Sequence, residues 1–365
     1  MRKIYYCFIV IFILISSAPF WGMLFYTENA KNSENRNMAQ FPQFSISHST
    51  SFIVGLNNFI IDHHAFRDKL SDRYMSFFRE YMHESPIPNS VILGKDGWYF
   101  LGNENNFAYN NVLGVSPIDL ANIKRTCDNI QKMKQFCDSL GIGFYFAISP
   151  DKGSVYPQYL PLKANKQIRF KSVLISELKK NYQINTIDMG EYIYPLKDSV
   201  TLFLKNDSHW NNYGALLGTK KLIHEISKDY DLNIIDENKT IIEQVGKTGG
   251  DLTNLLKIYP KETDFVIKND EFGEIEEINE MLKGCNITYI RNLNQKSQIT
   301  ALIYRDSFFN AVKNPFSTSI RRASLIRSNC FDRELTLQEI DKLDKKPDFL
   351  LFQIVERNLS IINFR

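Results

Sequence analysis

The chain has 365 residues, of which 44% are hydrophobic and 23% are charged, a composition typical of one globular core with appendages. Its formal net charge is only +3, and no lysine- or arginine-rich block occurs, so a nucleic-acid partner is disfavoured. Aromatic residues make up 13%, which suits a sugar-facing cleft but suits an aromatic-rich core better.

The N-terminus has the pattern of a membrane anchor. After Arg2 and Lys3 no charged residue appears before Glu28, and residues 4–26 are overwhelmingly apolar. A membrane helix needs about 20 such residues. A cleaved signal peptide is the alternative, but its apolar core usually runs only about 7–15 residues, and Pro19 would directly follow the cut. We predict an uncleaved anchor over residues 1–27, with the N-terminus in the cytoplasm and the rest of the chain outside.

The next region predicts helices and then a hairpin. Residues 28–52 are polar and rich in Asn, Ser and Gln, which indicates a stalk. Apolar residues recur at helical spacing over residues 55–82 and predict one or two amphipathic helices, so residues 28–84 form a second segment. In residues 91–101, two apolar runs flank a Gly-Lys-Asp-Gly turn and predict a β-hairpin.

From residue 85 to the end, apolar strands alternate with helices. The helices are predicted over residues 118–140, 168–181 and 213–228, and the strands over 143–149, 184–189, 301–304 and 349–355. Such alternation favours a mostly parallel sheet covered on both faces. We therefore predict a three-layer α/β/α domain over residues 85–365, in which the charged stretch 257–298 is a solvated insertion with one or two strands.

The cysteines do not indicate a metal site. Cys127 and Cys137 fall in one predicted helix, about 15 Å apart along its axis, too far to form a disulfide. A bond between Cys285 and Cys330 is left open, and no Cys-x-x-Cys pair exists. We interpret these residues as small, mostly buried apolar side chains.

Residues 206–215 contain the sharpest chemical signal. In an extended segment, Asp207 and His209 point to the same side. An aspartate there can fix the imidazole tautomer and leave the other ring nitrogen to act as a base. Asn211 or Asn212 can cap the helix that follows. The alternatives are a helix-entry loop with an incidental histidine, or a metal site, for which no third ligand lies nearby in the sequence.

A second signal lies at residues 301–310, where an apolar strand runs into a polar turn and a helix. Active sites of open α/β sheets lie at the carboxyl ends of strands. Ser307 would lie there near a helix N-terminus, whose free N–H groups can stabilise an oxyanion. The alternative is that Asp306 or Ser307 only caps the helix. A nucleophile and a base together favour catalysis more than either alone.

These residues resemble the SGNH-hydrolase-like alginate O-acetyltransferases of the AlgJ and AlgX type. The resemblance is carried by Gly-x-x-Gly-Trp-x-Phe-Leu at 94–101, Asp-x-His-Trp-x-x-x-Gly-Ala at 207–215 and Asp-Ser-Phe at 306–308. Weaker matches are Pro-Asp-Lys at 150–152, Gly-Asp-Leu at 250–252 and Glu-Arg at 356–357. Arg305 stands where the family usually has glycine. The chain stops soon after its last strand, so we expect the AlgJ type, without the C-terminal carbohydrate-binding domain of the AlgX type.

The resemblance implies an SGNH-hydrolase-like fold and a polysaccharide O-acetyltransferase. Ser307 would be the nucleophile, His209 the base and Asp207 its orienting group, and no soluble cofactor or metal is implied. We expect Trp210, Arg305, Lys152 and Asn254 to contact substrate, and Asn254 or Asn310 to supply a second oxyanion donor.

The resemblance also implies partners and a location. A multi-spanning membrane-bound O-acyltransferase would hand over the acetyl group, a polysaccharide would accept it, and the protein would be an inner-membrane protein with its catalytic domain in the periplasm. The polymer and the acetylated hydroxyl stay open. An acetyl esterase using the same triad and a non-catalytic polysaccharide-binding or assembly protein are the rival functions.

Overall fold

The computed structural model describes residues 2–25, 39–44, 49–63, 65–165, 169–269, 272, 275–293, 297–343 and 345–365. The chain divides into two compact units, Met1–Pro86 and Ile87–Arg365.

The first unit is helical. It contains α1 (Arg2–Phe25), α2 (Ser49–His63) and α3 (Arg67–Phe77), and α3 continues into one π-helical turn at Phe78–Met82. Two helices are therefore present where one or two were predicted, and α2 begins at Ser49, within the predicted stalk. Most of that stalk lies outside the described residues. Within the described part of the chain, no helix combines the length and the apolar character that crossing a membrane requires.

The second unit alternates helices and strands. In chain order its elements are β1 (Val91–Leu93), β2 (Tyr99–Leu101), α4 (Ala108–Leu113), α5 (Leu120–Ser139), β3 (Gly143–Ser149), α6 (Lys152–Val155), α7 (Phe170–Asn181), β4 (Thr186–Asp188), α8 (Asn212–Ile226), β5 (Thr240–Thr248), α9 (Asp251–Leu255), β6 (Lys261–Asn269), β7 (Ile275–Leu282), β8 (Cys285–Asn292), β9 (Thr300–Arg305), α10 (Phe309–Ser317), β10 (Arg322–Arg327), β11 (Cys330–Phe331), α11 (Arg333–Asp341), β12 (Phe349–Val355) and β13 (Asn363–Phe364). The predicted hairpin is confirmed, because β1 and β2 pair antiparallel.

A seven-stranded sheet forms the middle layer, in the order β4-β3-β12-β9-β10-β8-β7. The first five strands run parallel, while β8 and β7 extend the sheet antiparallel. The prediction of a mostly parallel sheet therefore holds for five strands, but the whole sheet is mixed. Residues 257–298, which were predicted to be a solvated insertion, instead supply the two antiparallel strands of this sheet. In β8 the buried residues Ile287 and Ile290 point to opposite faces and join two different apolar clusters, so this antiparallel strand is covered on both faces.

Both faces of the sheet are covered. Strands β9 and β12 are buried along their whole length, so their side chains enter two different cores. Ala301 and Ile303 join the cluster that includes residues of α8 and α10, whereas Leu302 and Tyr304 join the cluster that includes residues of α5, α7 and α11. This alternation is the expected period of a strand between two helical layers.

One long hairpin escaped prediction. Strands β5 and β6 pair antiparallel over nine residues each, from Thr240 opposite Asn269 to Thr248 opposite Lys261. Strand β5 is mostly exposed and carries scattered charges, so neither periodicity nor apolar content identifies it. The connection between the two strands contains Gly250 and α9, which are close to the site described next.

Candidate active site

The predicted nucleophile and base meet at one edge of the sheet. Ser307 follows β9, and His209 lies in the loop that enters α8. The carboxyl ends of parallel strands share an edge, where open α/β sheets place their ligands. We call residues 204–211, which include His209, the base loop. Its last residue, Asn211, caps α8 by accepting a hydrogen bond from the N–H of Gly214 at 2.8 Å, so the base loop is attached to a helix.

The three side chains form one hydrogen-bonded chain. Nε2 of His209 lies 2.8 Å from Oγ of Ser307, and Nδ1 of His209 lies 2.7 Å from Oδ1 of Asp207. Ser307 is half-buried, and among the described residues its N–H has no acceptor, which leaves it available as an oxyanion donor. The arrangement is that of a nucleophile, a base and a carboxylate that orients the base.

Hydrogen bonding sets the charge of Asp207. Burial raises the pKa of this carboxyl, but hydrogen bonds from His209 and from the N–H of Asp251 outweigh burial and hold the pKa well below its ordinary value. The carboxylate is therefore ionised at neutral pH and can stabilise a protonated His209.

Asp306 fixes the turn at residues 306–308, which contains Ser307 and which we call the nucleophile turn, against the sheet. Its Oδ1 accepts from the N–H of Phe308 at 2.9 Å and from Nε2 of Gln353 at 3.2 Å, and its Oδ2 accepts from the N–H of Val355 at 2.6 Å. Gln353 also donates to Ser149, so this network crosses from β9 through β12 to β3. Burial raises the pKa of Asp306 despite these hydrogen bonds.

Lys152 supports the base loop instead of facing a substrate. It is only 4% exposed, and its Nζ donates to three carbonyl oxygens, those of Leu204 and Lys205 at 3.1 Å each and that of Asp207 at 2.7 Å. Burial lowers the pKa of Lys152 to about 7, against the opposing effect of nearby carboxylates. All three ammonium protons are engaged, so the expected substrate contact is replaced by a positioning role.

Trp210 is also internal. It is 2% exposed, packs on Phe308 with ring centroids 5.2 Å apart, and donates from Nε1 to the carbonyl of Phe308 at 3.1 Å. Phe308 in turn lies 4.9 Å from the His209 ring. The expected substrate contact of Trp210 is thus corrected to packing behind the base and the nucleophile.

Of the remaining predicted residues, Arg305 and Asn310 support the nucleophile turn, whereas Asn254 lies on the surface. Arg305 is buried, and its Nη1 donates to Oδ1 of Asn310 at 2.6 Å. The N–H of Asn310 donates to the carbonyl of Ser307 at 3.1 Å, so both residues brace the nucleophile turn. Burial and the neighbouring Arg327 lower the pKa of Arg305. Asn254 is exposed on α9, and no contact joins it to the three triad residues.

Asp251 contributes to the site although its motif suggested no role. Its Oδ1 accepts from the N–H of Ser208 at 2.6 Å, and its Oδ2 accepts from the Ser208 hydroxyl at 2.5 Å. Gly250 permits this approach, because a Cβ there would lie 2.4 Å from the carbonyl oxygen of Asn206. The Gly-Asp pair was the available sequence signal, since only glycine tolerates such backbone proximity.

One group of possible metal ligands coincides with this site. Ligand atoms of Asp207, His209 and Asp251 lie within 4.8 Å of one another, so the fold supplies the third ligand that the sequence lacked. The same atoms already accept or donate the hydrogen bonds described above, and a metal ion would compete with the Ser307–His209–Asp207 chain.

Two cavities lie at the carboxyl edge of the sheet. They measure about 740 and 380 Å³, and Arg169, Lys171 and Glu356 line both. Arg357 lines the smaller cavity, and its guanidinium lies 5.2 Å from the ring centroid of Phe308, the residue after the nucleophile. Both volumes fall in the range of ligand-binding clefts.

Comparison with protein families identifies the class. The family model described as "SGNH hydrolase-like domain, acetyltransferase AlgX" matches residues 91–280, which are 190 of the 365 residues. The chain therefore belongs to the family of SGNH hydrolase-like domains of the acetyltransferase AlgX type. The matched range contains Asp207 and His209, and Ser307 lies beyond it.

Individual relatives are distant. The probable alginate O-acetylase AlgJ of Pseudomonas putida is 25% identical over 179 residues, 47% of this chain and 43% of that protein. Its counterpart from Pseudomonas aeruginosa is 24% identical over 179 residues, 47% of this chain and 42% of that protein. This chain thus spans less than half the length of these curated relatives. The solved structure of Bacillus cereus PatB1 has a similar fold, with a TM-score of 0.55 at 17% identity, over 74% of this chain and 97% of that one.

Proposed function

We propose that this protein is an O-acetyltransferase that modifies a cell-envelope or extracellular polysaccharide through an acetyl-enzyme intermediate on Ser307. The observation that carries the proposal is the hydrogen-bonded chain from Ser307 through His209 to Asp207 in a member of an acetyltransferase family. The names of the AlgJ relatives support a polysaccharide acceptor.

The first half-reaction forms the acetyl-enzyme. Oγ of Ser307 attacks the carbonyl carbon of an acetyl donor while Nε2 of His209 takes the serine proton. The Ser307 N–H faces the developing oxyanion, and Asp207 stabilises the protonated His209. The tetrahedral intermediate then expels the donor oxygen, which takes the proton from His209.

The second half-reaction acetylates the sugar. His209 removes the proton of a sugar hydroxyl, whose oxygen attacks the acetyl carbon, and the Ser307 oxygen leaves and regains the proton. The smaller cavity, which is lined by the Arg357 that packs on Phe308, supports this step, because polar and charged side chains there suit hydroxyl-rich ligands. If water reached the acetyl-enzyme first, the same residues would make an acetyl esterase.

The membrane arrangement is part of the proposal and is based on the sequence. The apolar run over residues 4–26 supports a retained anchor, which would keep the enzyme beside a multi-spanning acyltransferase that supplies acetyl groups. Mass spectrometry of protein extracted from membranes should find an N-terminus at or next to Met1. A mature N-terminus near residue 19 would contradict anchoring.

Substitution of the nucleophile tests the chemistry. Ser307→Ala should reduce hydrolysis of p-nitrophenyl acetate by about 10⁴-fold or more, because the attacking oxygen is lost. Ser139→Ala is a matched control at a helix end of the same unit, where the hydroxyl only donates to the carbonyl of Phe136, and it should be close to wild type.

Two outcomes would change the assignment. Near-wild-type turnover by a folded Ser307→Ala protein would exclude Ser307 as the nucleophile and favour a binding or assembly role. Acetyl transfer to water at the same rate with and without oligosaccharide, with no acetylated sugar detected, would favour the esterase.

A further inference from the structure

A second carboxylate lies beside the base. Oδ2 of Asp251 is 3.5 Å from Nδ1 of His209, only 0.8 Å farther than Oδ1 of Asp207. The two carboxylates come from distant parts of the chain, and they are linked because the N–H of Asp251 donates to Oδ2 of Asp207 at 3.1 Å.

The position of Asp251 is fixed by the residue between the catalytic pair. Both oxygens of its carboxylate accept hydrogen bonds from Ser208, at 2.6 and 2.5 Å, which hold the carboxylate against the loop. Ser208 is 4% exposed, so this contact is shielded from water, while the Asp251 side chain itself is 42% exposed. The contacts with Ser208 therefore hold the negative charge of Asp251 close to Nδ1.

We propose that Asp251 is a second positioning carboxylate for His209. It stabilises the doubly protonated imidazole together with Asp207, and it accepts the hydrogen bond from the Nδ1–H group when Asp207 cannot. This inference depends on the proposed function, because it assigns a role in the same proton transfers. A single carboxylate would leave His209 without an ionic partner after Asp207→Asn, whereas this site retains one within a short side-chain movement.

A purely structural role for Asp251 would change kcat in a different way. If Asp251 only braces Ser208, its loss should lower kcat by the same factor whether or not Asp207 is present. If Asp251 can substitute for Asp207, its loss should lower kcat much more once Asp207 has been neutralised, because no carboxylate then remains beside Nδ1, and residues in contact need not contribute additively.

The experiment is a double-mutant cycle with kcat and KM measured on p-nitrophenyl acetate. Asp251→Asn keeps an oxygen for the Ser208 N–H but removes the charge, and should lower kcat by about 3- to 10-fold. Asp207→Asn should lower it by about 10²-fold, less than the loss of about 10⁴-fold known for the neutralised aspartate of a serine-protease triad, because Asp251 remains. The double variant should fall by about 10⁴-fold, to the level of His209→Ala, with KM changed little.

Further variants separate position from folding. Asp251→Glu in the Asp207→Asn background should retain the kcat of Asp207→Asn, because a carboxylate is restored. Ser208→Ala removes one hydrogen bond to Asp251 but no carboxylate, and it should show no such synergy with Asp207→Asn. Melting temperatures report the folding of each protein.

The outcomes are distinguishable. Equal loss of kcat on Asp251→Asn in both backgrounds, or an effect confined to KM, would overturn the role of Asp251 while an inactive Ser307→Ala protein upheld the triad. Full activity of Ser307→Ala would instead overturn the proposed function itself.

Discussion

The turn that carries Ser307 and the loop that carries His209 lie at the same edge of the sheet but are supported in different ways. The nucleophile turn directly follows the buried strand β9, and Asp306 binds it to the neighbouring strand through Gln353 and Val355. The base loop has no neighbouring strand of that sheet to pair with. Its carbonyl groups bind the ammonium of Lys152, and its N–H groups bind carboxylates.

The carboxylate partners of the base loop come mainly from the long hairpin, from strand β6 and from the connection between β5 and β6. Oε2 of Glu262, on β6, accepts from the N–H of Lys205 at 2.6 Å and more weakly from that of Asn206. Asp251 accepts from Ser208 in the same way. Regular structure thus places the nucleophile, whereas charged side chains place the base, and the nucleophile turn and the base loop should respond differently to substitution and to pH.

Among substitutions that distinguish the support of the base loop from that of the nucleophile turn, Lys152→Met should have the largest effect. Three carbonyl oxygens would lose their donor, and an unsatisfied buried polar group costs about 1–3 kcal/mol. We expect the free energy of unfolding to fall by about 3 kcal/mol and kcat to fall by about 10²-fold, because the carbonyl of Asp207 is one of the three acceptors.

A second buried lysine provides the control. Lys171 pairs with Asp188 at 2.8 Å and is bonded to neither the base loop nor the nucleophile turn. Lys171→Met should therefore destabilise the protein but leave kcat for p-nitrophenyl acetate, which contains no sugar to occupy the cavities that Lys171 lines, within about 3-fold of wild type. Chemical denaturation and steady-state kinetics on both variants test this. Equal losses of kcat would mean that Lys152 acts only through general stability.

A smaller effect should appear in the pH dependence of stability. The contributions of Asp207 and Asp306 to stability should change in opposite directions with pH. Because the pKa of Asp207 is held below its ordinary value of 3.8, its contribution is present above pH 3.8 and is lost as the pH falls below that value. Because burial raises the pKa of Asp306, its contribution is present below pH 3.8 and is lost as the pH rises through the raised pKa.

Isosteric variants make this measurable. On acidification from pH 7 to 3, the free-energy advantage of wild type over Asp207→Asn should shrink, and its advantage over Asp306→Asn should grow, each by on the order of 1 kcal/mol. Urea denaturation at several pH values checks the slopes. If the free-energy difference from wild type changed with pH in the same direction for both variants, the base loop and the nucleophile turn would not differ in electrostatic environment as described.

Much of the fold could be read from periodicity because its signals are local. The strands at 143–149 and 349–355 are continuous apolar runs, and the helix at 120–139 has a capping aspartate and an apolar stripe. The exposed hairpin and the antiparallel strands β7 and β8 were missed or misjudged because their stability comes from pairing with distant residues. Their sequences are charged and mixed, and β-strand preference depends strongly on such context.

The sequence by itself predicted that Ser307, His209 and Asp207 form one site, because a nucleophile, a base and an orienting carboxylate are recognised by residue type and spacing, and the fold brings the three side chains within hydrogen-bonding distance. Only the tertiary structure decided which other polar residues face a ligand and which support the site. Lys152, Trp210 and Arg305 have the side chains of ligand-binding residues, yet all three are buried against the catalytic loops. Burial depends on contacts between residues far apart in the chain, such as Lys152 with the carbonyl of Asp207, and no local pattern records such contacts.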